Sequence, residues 1–253
     1  MERARILCGV AASALLMVSV GLVTPTRAQD ATEREAVAGH VAALFRAARA
    51  AISDNQPLIN DESKGDKGLS SAKVVELAKQ NYKKATGAEV SLDGGTSEGK
   101  MMQALLDSVK DVMDKAQPLI NKQGLGFKGF IPAVFGKQVA DAFRRKTDGA
   151  ADIKLTAPKS YIRNRANTPD AWEERVIETM FKSPGWAKGK AHGEAGDHKG
   201  KAAFRLMIPE YYGASCLSCH GDPKGSADIT GGKKEGGKLD ELGGAISVAV
   251  YGK

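Results

Sequence analysis

Two thiols three positions apart, with an imidazole directly after the second, occur at Cys216-Leu217-Ser218-Cys219-His220. This CxxCH box constrains the chain more than any other feature, because its spacing matches the attachment pattern of c-type haem. The cysteines can form thioethers to two vinyl groups on neighbouring pyrroles of one porphyrin edge. The adjoining histidine is then carried beneath the macrocycle, where a ring nitrogen can ligate iron. The reading predicts one covalent haem c held by Cys216, Cys219 and His220, with His220 as proximal iron ligand. In such a protein the chemistry belongs largely to the cofactor, as redox change or small-ligand binding at iron.

Other uses of the pair stay open at this level. A thioredoxin-like redox centre would follow a βαβ opening, whereas Glu210-Tyr211-Tyr212-Gly213-Ala214-Ser215 precedes the box. A tetrahedral zinc site needs four N or S ligands, which Cys216 and Cys219 with His192 and His198 would supply. A structural disulfide across two intervening residues would be a tight, strained loop.

The N-terminus predicts export. Arg3 and Arg5 precede an apolar run, Ile6 to Val23, and Thr26-Arg27-Ala28 places small residues at the −3 and −1 positions of a cleavage site. Residues 1–28 therefore read as a signal peptide, with an uncleaved anchor as the alternative because the run is of borderline length for a membrane span. Cleavage would remove Cys8, leaving two cysteines, both in the box. A periplasmic protein stabilised by disulfides would more often hold further pairs. Covalent haem attachment in bacteria takes place outside the cytoplasmic membrane, so the signal and the box agree on a periplasmic address.

The net charge is +7, and cleavage would remove three cations and one anion, leaving +5. The lysines are scattered among acids and no aromatic-interleaved basic motif occurs, which argues against nucleic acid as a partner. A local excess near the box (Lys182, Lys188, Lys190, Lys199, Lys201, Lys224, Lys233, Lys234 and Lys238) is diluted by Glu194, Asp197, Asp222 and Asp228. It reads as a solvated surface, or more weakly as a contact for haem propionates or an acidic redox partner. No P-loop, nucleotide fingerprint, kinase segment or Ser-His-Asp arrangement is present, so no enzyme activity is expected.

Along the chain, residues 33–53 carry Val37, Val41, Leu44, Phe45, Ala48 and Ile52 at the spacing of an amphipathic helix. Further helices are expected over about 70–84, capped by Ser70 or Ser71, over 98–115, and over 133–145. Gln-Pro-Leu-Ile-Asn occurs twice, at 56–60 and 117–121, each time after an amphipathic helix. Two copies predict two equivalent helix-to-loop corners packed side by side, not a solenoid. Residues 151–156 look like a strand. Thr168-Pro169-Asp170 opens a helix with a hydroxyl cap and proline at its first position, burying Trp172, Val176, Ile177 and Met180. Residues 202–209 read as a strand leading into the box, and 245–251 as a last strand with Ile246, Val248 and Val250 inward. His192 and His198 fall in a Lys/Gly-rich stretch read as a solvated loop. The glycines after His220 read equally as a flexible loop or as backbone passing close over a porphyrin face.

Three stretches match something known: Gly126-Phe127-Lys128-Gly129-Phe130-Ile131-Pro132-Ala133-Val134-Phe135; Tyr161-Ile162-Arg163-Asn164-Arg165 with Pro169-Asp170-Ala171-Trp172-Glu173; and Cys216-Leu217-Ser218-Cys219-His220-Gly221-Asp222-Pro223. Together they resemble a bacterial family of exported c-type haem domains long catalogued as of unknown function, over most of the chain from about Ala42. The resemblance implies an α+β fold, a PAS-like antiparallel sheet with the N-terminal helical half packed on it. The expected layout is a signal peptide over 1–28 and one c-haem domain over 29–253, helical to about 121 and carrying the attachment part over 122–253. It also implies thioethers at Cys216 and Cys219 and proximal ligation by His220. Family members look like haem sensors and occur alone or as input domains of transmembrane receptors. Some supply a distal cysteine from an N-terminal helix, which the mature chain lacks.

The distal position is therefore open. His40 on the first helix and Met113 on a later helical face are the candidates, with Met102 and Met207 behind them and a five-coordinate iron as the remaining outcome. The expected function is a periplasmic haem-binding protein that senses redox state or a diatomic gas, with a stand-alone electron-transfer cytochrome as the alternative. Its partners would be a redox partner or a membrane-bound signalling protein and a small gas ligand, with no membrane contact once the signal is cleaved.

Overall fold

The apolar spacing that begins at Val37 lies in a 30-residue helix, α1 (Pro25–Asp54), whose Val37, Val41, Leu44, Phe45, Ala48 and Ile52 are all buried. The computed structural model describes residues 25–252, with side chains from Asp30 onward. The proposed signal segment thus lies outside the described residues up to position 24. Among the described residues no helix is long and apolar enough to cross a membrane.

Four further helices complete the N-terminal half: α2 (Gln56–Asn60), α3 (Ser71–Thr86), α4 (Ser97–Ile120) and α5 (Pro132–Lys146). Ser70 caps α3 as expected, its hydroxyl accepting from the Lys73 amide. Helix α4 runs through Pro118 to Ile120, so the second Gln-Pro-Leu-Ile-Asn is a helix end, whereas the first forms the separate turn α2.

Each copy bonds the loop that follows the other, and reciprocally. Gln56 Nε2 donates to Phe130 O at 3.3 Å, and Gln117 Nε2 to Leu69 O at 3.0 Å. Asn60 Oδ1 accepts from the Lys128 amide at 3.3 Å, and Asn121 Oδ1 from the Lys67 amide at 3.0 Å. Each copy is followed, seven residues beyond its asparagine, by Lys-Gly. The glycines, Gly68 and Gly129, take left-handed φ of 65° and 69°, a conformation that a side chain would strain. Lys67 and Lys128 are both buried. The Lys67 ammonium donates to the carbonyls of Asp61 and Lys64, and that of Lys128 to Leu125 O. Burial and the neighbouring Lys67 cation pull the Lys128 pKa down.

The second half is a four-stranded antiparallel sheet of order β1-β4-β3-β2, formed by β1 (Ala151–Thr156), β2 (His192–His198), β3 (Lys201–Tyr211) and β4 (Leu242–Tyr251). Phe204, Leu206 and Ile208 of β3 and Ile246, Val248 and Val250 of β4 alternate onto one face, as a strand's two-residue period requires. They join Phe45, Val109, Phe135 and Phe143 from the helices in one shared apolar core. The expected α+β arrangement, an antiparallel sheet with the helical half packed on it, is what the structure has.

The opposite face carries a smaller cluster: Met207, Ala245, Val176, Ile177 and Phe181, with Trp172 and Trp186 at its edge. It belongs to α6 (Ala171–Val176) and the π turn Ile177–Phe181. Helix α6 starts later than the Thr168-Pro169 signal predicts. Asp170 and Glu173 form a reciprocal capping box, while the Thr168 hydroxyl bonds Arg165 O instead.

One expectation is overturned. Residues 192–198 are not a loop but the edge strand β2, paired along its length with β3. Its glycines and acids carry little strand propensity, and pairing with the long, buried β3 overrides that preference.

Candidate functional site

Strand β3 ends five residues before Cys216, and α1 fixes that end. Arg46 Nε and Arg49 Nη1 reach the two oxygens of Glu210 at 2.5 and 2.6 Å, and Arg46 Nη2 donates to Pro209 O at 2.7 Å. Burial would raise the Glu210 pKa, but the two arginines outweigh it and hold the carboxyl low. One turn further along α1, Ser53 Oγ lies 3.4 Å from Ser215 Oγ, so the helix end stands beside the residue preceding Cys216.

The box itself is a short 3₁₀ turn, Ala214–Cys216, continued by the helical turn α7 (Leu217–His220). A helical turn puts residues three apart on one side, so Cys216 and Cys219 share a face. Both thiols are unpaired and partly exposed, and His220 follows at the end of the turn. Its Nδ1 lies 2.8 Å from Glu235 Oε2, which leaves Nε2 as the nitrogen that can meet a metal. Two accessible thiols on one face and an oriented imidazole form a donor set that fits haem c.

Residues 222–241 fold back to hold this histidine. Gly225 N donates to Lys234 O, Lys234 N to Ser226 O and Asp228 N to Gly232 O, and Gly237 N reaches His220 O at 2.8 Å. Arg163, from the Tyr161–Arg165 stretch, ties loop and box together. Its Nε and Nη1 donate to Glu235 and Asp228, both at 2.5 Å, and its Nη2 to Cys219 O at 2.8 Å and Lys233 O at 2.9 Å. Burial pushes the Asp228 pKa up, but bonds from Thr230 and Arg163 outweigh it and hold the carboxyl at about 2. Glu235 follows the same pattern, burial being outweighed by Arg163 and His220.

Tyr212 completes the setting. Its buried ring stacks on His220, centroids 5.3 Å apart, and its other neighbour is Tyr161 at 6.4 Å. Any Cβ at Gly237 or Gly243 would stand 2.3 or 2.4 Å from this ring. These glycines therefore admit the tyrosine edges, a use that neither the flexible-loop nor the porphyrin-face reading anticipated. Burial and the Glu235 charge raise the Tyr212 pKa.

The other candidates each have surroundings of their own. His40 Nδ1 is 2.7 Å from Glu98 Oε1, and it sits thirteen residues before Ser53 on α1, about 20 Å along a helix axis. Met113 is fully buried in the main core, as is Met102, and Met207 lies under the sheet. His192 packs between Trp172 and Trp186 and meets Glu194 at 3.2 Å, while His198 stacks on Tyr251. The two histidines occupy opposite ends of β2, about 20 Å apart by strand rise, so they cannot join both cysteines on one tetrahedral zinc. Among the described residues no cluster of three or more His, Cys, Asp or Glu is arranged to hold a metal ion. Several lysines of the basic excess are also engaged. Lys182, Lys188 and Lys199 pair with Glu178, Asp240 and Asp152, while Lys190 and Lys201 lie over Trp186 and Tyr251.

Nothing in the sequence patterns assigns Arg163, Asp228, Glu235 or Tyr212 a role at the site. Arg163 lay within a recognised stretch and Tyr212 just ahead of the box, but no spacing rule connects Glu235 to His220.

The sequence model of the Tll0287-like family matches residues 35–250. The chain belongs to this family. Comparison with curated proteins and with solved structures gives no match.

Proposed function

We propose that this member of the Tll0287-like family is an exported c-type haem protein, with one haem bonded through Cys216 and Cys219 and His220 as the proximal iron ligand. The observation that carries the reading is the local geometry of the box: both thiols unpaired on one face of the helical turn at 214–220, and His220 held through Nδ1 with Nε2 left for iron. When bound, the haem supplies one-electron redox change and small-ligand binding. The protein's own residues orient the imidazole, tie the attachment turn to the fold and surround it with charged partners. The box and the leader-like N-terminus together support a periplasmic address.

Within that reading we favour sensing of redox state or a diatomic gas. Sensing needs a sixth iron position that is open or displaceable, whereas electron transfer is helped by two strong permanent ligands. His40 is bonded to Glu98 and Met113 is sealed in the core, so neither stands ready as the second strong ligand. The visible spectrum of the ferrous holoprotein, with and without CO or NO, tests the choice. Rapid conversion to a ligand-bound spectrum is expected. An unreactive low-spin spectrum would instead identify an electron carrier.

A further inference from the structure

We propose that Glu235, clamped by Arg163, is the positioning residue of His220 and lowers the reduction potential of iron bound there; the inference rests on the haem reading above. A histidine that offers Nε2 to a metal carries its proton on Nδ1, and that proton needs an acceptor. Here the acceptor is a carboxylate, 2.8 Å away and only 7% exposed. Such a partner fixes the ring's rotation and makes the imidazole a stronger electron donor. Stronger donation favours the oxidised metal, which carries the higher charge, and so lowers the potential.

Arg163 gives the arrangement its second half. Its Nε and Nη2 hold Glu235 at 2.5 and 3.0 Å, so part of the carboxylate's charge is neutralised before it acts on His220. The same guanidinium bonds Cys219 O at 2.8 Å and Asp228 at 2.5 Å. One side chain therefore sets both the attachment turn's position and the strength of the proximal carboxylate. Stacked Tyr212 limits tilt of the ring on its face, which leaves Glu235 as the group that acts through Nδ1. Glu235 and Arg163 carry opposite charges, so the proposal assigns their removal opposite effects on the metal.

The test is the midpoint potential of holoprotein, read with haem content by mass. In Glu235→Gln the haem content should hold, and the reduced-to-oxidised ratio at fixed applied potential should rise about tenfold, a shift of about 59 mV for one electron. Glu235→Asp keeps the charge and should shift the ratio less. Arg163→Gln frees the carboxylate and should move the ratio the other way, which lost packing alone does not predict. Haem-loaded Glu235→Gln and Glu235→Asp proteins both within about twofold of wild type would overturn the proposal. So would an Arg163→Gln shift in the same direction as Glu235→Gln. Wild-type protein that takes up no haem would overturn the haem reading itself, a failure the mass measurement distinguishes from either of these.

Discussion

Tyr212 lies nearly parallel to His220, the ring planes 20° apart and the centroids separated by 5.3 Å. The stack is confined at the tyrosine's edges by Gly237 and Gly243, where no side chain fits. The fold thus sets the plane of the imidazole through a buried aromatic ring and its rotation through Glu235. Each half of that arrangement can be broken separately.

Tyr212→Ala should destabilise the protein by about 3–5 kcal/mol, the usual cost of deleting a buried aromatic ring. Tyr212→Phe keeps the ring and should cost under about 1.5 kcal/mol, as volume-conserving swaps do. Gly243→Ala should resemble Tyr212→Ala, because its methyl group would overlap the ring. Denaturant unfolding of the three variants checks the order.

The duplicated corner should be cooperative. Asn60→Ala leaves the Lys128 amide without its acceptor and Asn121→Ala does the same to the Lys67 amide, each costing about 1–3 kcal/mol. Because the four reciprocal bonds share two loops, the double variant should depart from additivity by more than about 0.5 kcal/mol. Unfolding free energies of the two single variants and the double variant provide the cycle.

How much of this was legible in sequence differs by element. Val37 to Ile52 and Ile246 to Val250 could be read because helix and strand periods place their apolar residues on one face. The pentapeptide repeat pointed to paired corners, yet the exchange of partners between them required three dimensions. Strand β2 was missed because His192–His198 is polar, its pairing coming from β3. At the site, the box named Cys216, Cys219 and His220, while Glu235 joins His220 only through a glycine-rich return that leaves no periodic trace.

Acid should weaken the fold through Asp228. Its folded pKa, about 2, lies below the ordinary carboxylate value, so its hydrogen bonds from Thr230 and its ion pair with Arg163 stabilise the protein above about pH 4 and are lost as pH falls toward 2. Stability measured across that window should fall more steeply in wild type than in Asp228→Asn. Equal slopes would mean that these contacts contribute nothing to acid sensitivity.

The helical half and the sheet share one core, so neither should survive alone. Limited proteolysis of the folded protein should leave residues 33–53 protected, with no stable helical fragment ending near Gly95. Recovery of such a fragment with cooperative unfolding of its own would show two independently folded units.

The most direct test of the account is the mass of the exported protein after co-expression with a cytochrome c maturation system. The expected result is one added haem, carried on the peptide that contains Cys216 and Cys219 and lost in the Cys216→Ser, Cys219→Ser double variant. Two free thiols, with stoichiometric zinc or with no metal bound, would contradict it.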